Sequence, residues 1–134
     1  MLDVRLEYCI DGYDEVSEDL DSLEQLRARL EEIKEEASGT IDCAYAVDLV
    51  CAGVGRMSIA LGERSVLSYY DEAEDYYLTS LGDPLASGET AFYFGDYSLL
   101  SNKYVIPLKV ALEALEFWIN QKALSNKVGW TDVF

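Results

Sequence analysis

The sequence predicts an α+β fold: one antiparallel β-sheet meander with two amphipathic helices covering a face of it, in a single domain spanning residues 1–134. Three observations predict it. Leu2–Ile10, Thr40–Cys51 and Arg56–Leu61 alternate apolar and polar residues with period two. Leu23–Ala37 and Leu108–Ile119 place apolar residues at helical spacing. Turn residues punctuate the middle of the chain every eight to twelve positions.

In the first strand, Leu2, Val4, Leu6, Tyr8 and Ile10 share one face and Asp3, Arg5, Glu7 and Cys9 the other. DGYDEVSEDLD follows as an acidic loop. Ser22 with Gln25 three residues on is a capping box. The helix it starts carries Leu23, Leu26, Leu30, Ile33 and Ala37 inward and stops at Gly39. Ile41, Cys43, Tyr45, Val47, Leu49 and Cys51 face one side of the next strand, with Asp42 and Asp48 opposite. AGVG turns the chain into Arg56–Leu61, where Met57, Ile59 and Leu61 point inward. Gly62–Arg64 is a tight turn into the strand Ser65–Tyr70. The stretch YYDEAEDYY leads to the strand Tyr76–Leu81, the loop GDPLASGE, and a short strand Thr90–Phe94 ended by Gly95. Pro107 sits in the first turn of a second helix, whose stripe is Leu108, Ala111, Leu112, Leu115, Trp118 and Ile119. VGWTDVF is expected to be irregular or a short edge strand.

The chain has 134 residues with 26 acids against 10 bases, a formal charge of −16, and no histidine. One core of this size needs no staples. No apolar run approaches the ~20 residues that span a bilayer, and the N-terminus has no signal-peptide pattern; the expected location is the cytoplasm. The charge repels nucleic acid and anionic membrane, so neither is an expected partner, and it favours basic proteins. Three cysteines, Cys9, Cys43 and Cys51, without a CxxC, argue against a disulfide framework or zinc knuckle. Cys43 and Cys51 lie about 26 Å apart along one strand and cannot bridge within it.

Catalytic groups are sparse. Without histidine the commonest general base and metal ligand are missing. Acid pairs such as Asp71 with Asp75, or Asp42 with Asp48, leave a small acid-pair hydrolase as one alternative, but acids at a strand tip are ordinarily solvated. DGYDEVSEDLDSLE lacks the register of a calcium loop. No metal or other cofactor is expected. Binding is the better reading. Alternation turns one tyrosine of each YY pair inward and one outward, and the outward ones meet across the ladder beside four carboxylates. The expected interface is Tyr69, Tyr70, Asp71, Glu72, Glu74, Asp75, Tyr76 and Tyr77, with Asp96 and Tyr97 secondary. A second alternative is a general acidic module that mimics nucleic acid for many basic clients.

An ordered set of motifs runs through residues 56–134: Leu61-Gly62, Ser68-Tyr69, Ser80-Leu81-Gly82-Asp83, Phe92-Tyr93-Phe94-Gly95, Ile106-Pro107, Ala111-Leu112-Glu113-Ala114-Leu115 and Trp130-Thr131-Asp132. This set resembles the first-numbered immunity protein family of bacterial polymorphic toxin systems. The resemblance implies a non-enzymatic antitoxin that binds a cognate basic toxin domain one to one. In that family the toxins are often nucleic-acid-acting, including zinc-dependent cytidine deaminases of DNA, whose basic cleft an acidic, tyrosine-bearing edge would fill. The acidic DEAED turn and the acidic first third depart from the family pattern. On the same resemblance Phe92, Phe94, Leu112, Leu115 and Trp118 are expected in the core, and Trp130 is expected to pack a sheet edge.

Overall fold

A computed structural model describes residues 2–10 and 13–132. Asp11 and Gly12 of the predicted acidic loop, and Val133 and Phe134 of the terminal segment, lie outside the described residues.

Eleven strands and two α-helices are described, in the order β1 (Arg5–Tyr8), β2 (Val16–Asp19), α1 (Leu23–Ser38), β3 (Ala44–Cys51), β4 (Gly55–Leu61), β5 (Arg64–Ser65), β6 (Leu67–Asp71), β7 (Tyr76–Leu81), β8 (Glu89–Tyr93), β9 (Tyr97–Ser101), β10 (Ile106–Pro107), α2 (Leu108–Gln121) and β11 (Gly129–Thr131). The fold is α+β, as the periodicities predict. Strands β3, β4, β6 and β7 form the antiparallel meander, extended by β11 on one edge and by β1 and β2 on the other. The short strands β5 and β10 pair with each other.

The structure corrects three sequence expectations about the sheet. Val16–Asp19, expected as loop, is an edge strand against β1. Tyr97–Ser101, where the sequence pattern predicts no strand, is a strand that pairs only with β8 among the described residues. β8 joins β3 in parallel, so the sheet is not a pure meander. The register shows why there is room: β1 occupies one edge of β3 only at Asp48–Val50, and β8 takes the same edge at Ala44–Tyr45.

Both helices lie on the same face. Ser22 Oγ accepts the Gln25 N–H at 3.1 Å, capping α1 as its sequence foretells. Leu26, Leu30, Ile33 and Ala37 then bury against Leu6, Val47 and Leu49. Pro107 occupies the N-cap of α2, and Lys122 closes the helix in a left-handed conformation. Ala111, Leu115, Trp118 and Ile119 complete the core over Met57, Ile59 and Leu67. Arg27 of α1 forms an ion pair with Glu116 of α2. Arg29 clamps Glu18 of β2 at 2.9 Å and the Tyr8 hydroxyl at 2.6 Å. That clamp holds the Glu18 carboxyl below its ordinary range, the Arg29 hydrogen bond being the main cause.

The opposite face is covered only in part. The β8–β9 hairpin lays Phe92 and Leu100 over Ala60 and Val66, a second small core. Phe92, Leu115 and Trp118 are fully buried as expected; Phe94 and Leu112 are half-buried. Trp130 is half-buried against the main core and its Nε1 donates to Ser125 O at 3.0 Å, so it packs a sheet edge.

Candidate functional site

The YYDEAEDYY stretch is the β6–β7 hairpin and its tip. Its register pairs Tyr69 with Leu78, Tyr70 with Tyr77, and Asp71 with Tyr76. Partners across a ladder share a face. Tyr69 is in phase with Leu67 and opposite Met57, so it turns toward the helices. Its ring meets Trp118 edge-on at 5.8 Å and is 4 % exposed. Tyr69 is therefore a core residue, which corrects its place in the expected interface. Burial, then the Asp71 carboxylate 3.1 Å from its hydroxyl, push its phenol up to about 12.

Tyr70 and Tyr77 turn the other way. Their rings lie 4.7 Å apart, and Tyr77 is 67 % exposed. Offset contact fixes both rings before any partner arrives. Tyr76 returns to the helix side, where it meets the Tyr69 ring edge at 6.4 Å while staying partly exposed.

The carboxylates divide the same way, into those that build the turn and those that face solvent. Asp71 accepts the Glu74 N–H at 2.8 Å as well as the Tyr69 hydroxyl. Asp75 stands at φ +53 and accepts the Tyr70 hydroxyl at 3.0 Å. That bond is the main reason the Tyr70 phenol titrates above its ordinary value. Glu72 reaches back to the Gly53 N–H at 3.1 Å, tying the tip to the β3–β4 turn. The Glu74 N–H is held by Asp71, but its carboxylate makes no hydrogen bond or ion pair among the described residues. The neighbouring strand must come close here: a Cβ on Gly55 would lie 2.3 Å from Tyr70 O. Glycine alone lets β4 approach the base of the tip.

Asp96 and Tyr97 do not join this cluster. Tyr97 stacks edge-on against Tyr93 at 5.0 Å, and Tyr93 stacks on Tyr45 at the opposite end of β3. The hairpin tip sits beside Gly55, opposite Cys51. Six residues of strand separate the two ends, about 20 Å. Burial and then Asp42 raise the Tyr97 phenol.

The acid pairs weighed for catalysis are committed elsewhere. Asp71 and Asp75 bond tyrosine hydroxyls and backbone at an exposed turn. Asp48 is held by Arg56 at 2.8 Å and by Ser58, while Asp42 is exposed in the bend before β3 begins. Among the described residues no group of three or more Cys, Asp or Glu is placed to hold a metal ion. No described helix is long and apolar enough to cross a membrane. What the hairpin exposes is a tyrosine pair in ring contact, a third, partly exposed tyrosine at its rim, and outward carboxylates.

The family model described as Immunity protein Imm1 matches residues 7–132. No curated protein matches the chain.

Proposed function

This chain belongs to the Imm1 family of immunity proteins, and from that premise we propose that it is an antitoxin that binds a cognate toxin domain and occludes its active site. The toxin class that fits best is a basic, nucleic-acid-acting enzyme, a DNA cytidine deaminase or a nuclease. The complex is one to one, forms in the cytoplasm of the cell that makes the toxin, and involves no chemistry by the antitoxin itself.

The observation that carries the reading is the Tyr70–Tyr77 pair, rings 4.7 Å apart beside outward Glu72, Glu74 and Asp75. Aromatic anchors bury large area at little rotamer cost. A cleft made for nucleic acid supplies cations for phosphates and aromatic faces for bases, and a tyrosine pair ringed by carboxylates answers both. Net charge of −16 adds long-range attraction, which speeds capture. Fast capture matters because the toxin and its target share a compartment.

Co-expression with the toxin domain encoded beside this chain tests the reading. Protected growth, a one-to-one complex on a sizing column, and an association rate that falls as salt rises are expected. Lack of protection, with no complex even at low ionic strength, overturns it.

A further inference from the structure

A groove runs across the open sheet face, bordered by the β8–β9 hairpin and reaching beneath its edge at Thr79, which is almost fully buried. Its floor is a row of direct strand partners: Asp48 opposite Ser58, Ser58 opposite Ser68, Ser68 opposite Thr79. These side chains point the same way, and four strands at ~4.8 Å spacing make the row about 14 Å long. Phe94 overhangs it from the β8–β9 hairpin. The next row toward the tip on the same face is Arg56, Tyr70 and Tyr77.

Two recesses open on this floor, and Phe94 borders both. They differ in chemistry. The larger, about 460 Å³, lies over Asp48 and Ser58 beside Glu7 and Glu15. Glu7 and Asp48 share one guanidinium, that of Arg56, at 3.7 and 2.8 Å. Two carboxylates against one cation leave net negative charge, to which Glu15 adds. The smaller recess, about 200 Å³, lies over Ser68 and Thr79 and is walled by Val66, Leu100 and Phe94. It offers apolar contact.

We propose that this groove is a second docking site for the toxin, an inference that rests on the antitoxin reading above. Its occupant is an extended toxin segment carrying an aliphatic side chain and, two residues along, an arginine or lysine. Two residues of extended chain span about 7 Å. The aliphatic group fills the recess between Leu100 and Phe94, and the long basic side chain covers the remaining distance to Asp48 and Glu7. Charge selects the partner, because only a cation is favoured at the acidic end. The groove also adjoins the hairpin surface, since Tyr70 and Tyr77 form the row beside its floor. One toxin can therefore engage both.

The test measures association and dissociation rates of the full chain with the toxin domain it neutralises. Ser68→Trp fills the smaller recess from the floor, and Ser98→Trp fills it from the hairpin side. Each is expected to raise Kd at least about tenfold, mainly through faster dissociation. Asp48→Asn is expected to slow association, an effect that vanishes at high salt. Far-UV circular dichroism and the unfolding midpoint confirm folding; should Ser68→Trp misfold, Ser98→Trp gives the answer. If the wild-type chain binds and all folded variants bind equally well, the groove is refuted and the hairpin reading stands. If the wild type has no affinity for the toxin, the antitoxin reading falls and the groove falls with it.

Discussion

Tyr69 and Tyr70 are neighbours in sequence and opposites in role. Tyr69 faces the helices, with its ring against Trp118 and its hydroxyl on Asp71. Tyr70 faces away, with its ring on Tyr77 and its hydroxyl on Asp75. Both are phenols bonded to a nearby aspartate. The two differ in the covering over each face of the sheet: α1 and α2 on one side, and on the other a hairpin that stops short. One face buries its tyrosine at this hairpin against the helices, and the other leaves the paired tyrosines open to the partner proposed above.

The sharpest way to break this contrast is to delete one ring from each face. Tyr69→Ala removes a buried aromatic from a core that cannot fully close around the gap. A loss of about 3 kcal/mol or more is expected in urea unfolding. Any loss of toxin inhibition should follow from unfolding and recover at low temperature. Tyr77→Ala should do the reverse. Its ring is mostly exposed, so stability should change by no more than about 0.5 kcal/mol. Toxin affinity should fall by about 2 kcal/mol, as for an interface anchor. If Tyr77→Ala inhibits normally, the open face is not the docking face at this hairpin.

Charge sharpens the contrast further. Glu74 is exposed and only its backbone N–H, not its side chain, helps build the turn, so Glu74→Lys leaves the tip intact. Stopped-flow mixing should show association slowed by about tenfold at low salt and converging on wild type near molar salt. Asp75→Lys is a less clean probe, because it also removes the Tyr70 hydrogen bond at a left-handed backbone position.

Much of this was legible because one face is buried. Burial enforces period two in β3, β4 and β6, and a helical stripe in α1 and α2, and those periods are plain in the sequence. Phase was equally available: Tyr69 follows Leu67 by two, so it shares its inward face. Alternation already turns one tyrosine of each pair inward, and the phase of Leu67 makes Tyr69 that one. The missed strands are edge strands. In β2, Val16–Asp19, the inward position is Glu18, acceptable only because Arg29 arrives from a helix eleven residues on. In β9, Leu99 and Leu100 face opposite ways and only Leu100 is buried. The parallel meeting of β8 with β3 depends on an edge left vacant by β1, a matter of tertiary arrangement. The groove floor escaped notice because Asp48, Ser58, Ser68 and Thr79 each read as an ordinary outward residue. Only the register aligns them.

The smallest expected effect is also the most specific to the covered face. Tyr69→Phe keeps the ring and loses the hydroxyl that donates to Asp71. At neutral pH this should cost about 1 kcal/mol, one hydrogen bond. Alkaline titration separates it from a mere packing change. In the folded chain burial and Asp71 hold the Tyr69 phenol up to about 12, against 10 for the free group. The unfolded chain therefore loses this proton first, so the stability it represents is complete below pH 10 and drains away as the pH rises from 10 to 12. Tyr45, pushed up to about 12 chiefly by burial, adds a parallel loss. Tyr69→Phe should flatten the alkaline limb of stability against pH, and the Tyr45 contribution should remain. An alkaline limb that Tyr69→Phe leaves as steep as in the wild type would mean that this hydroxyl is not held by burial and Asp71 as the contacts imply.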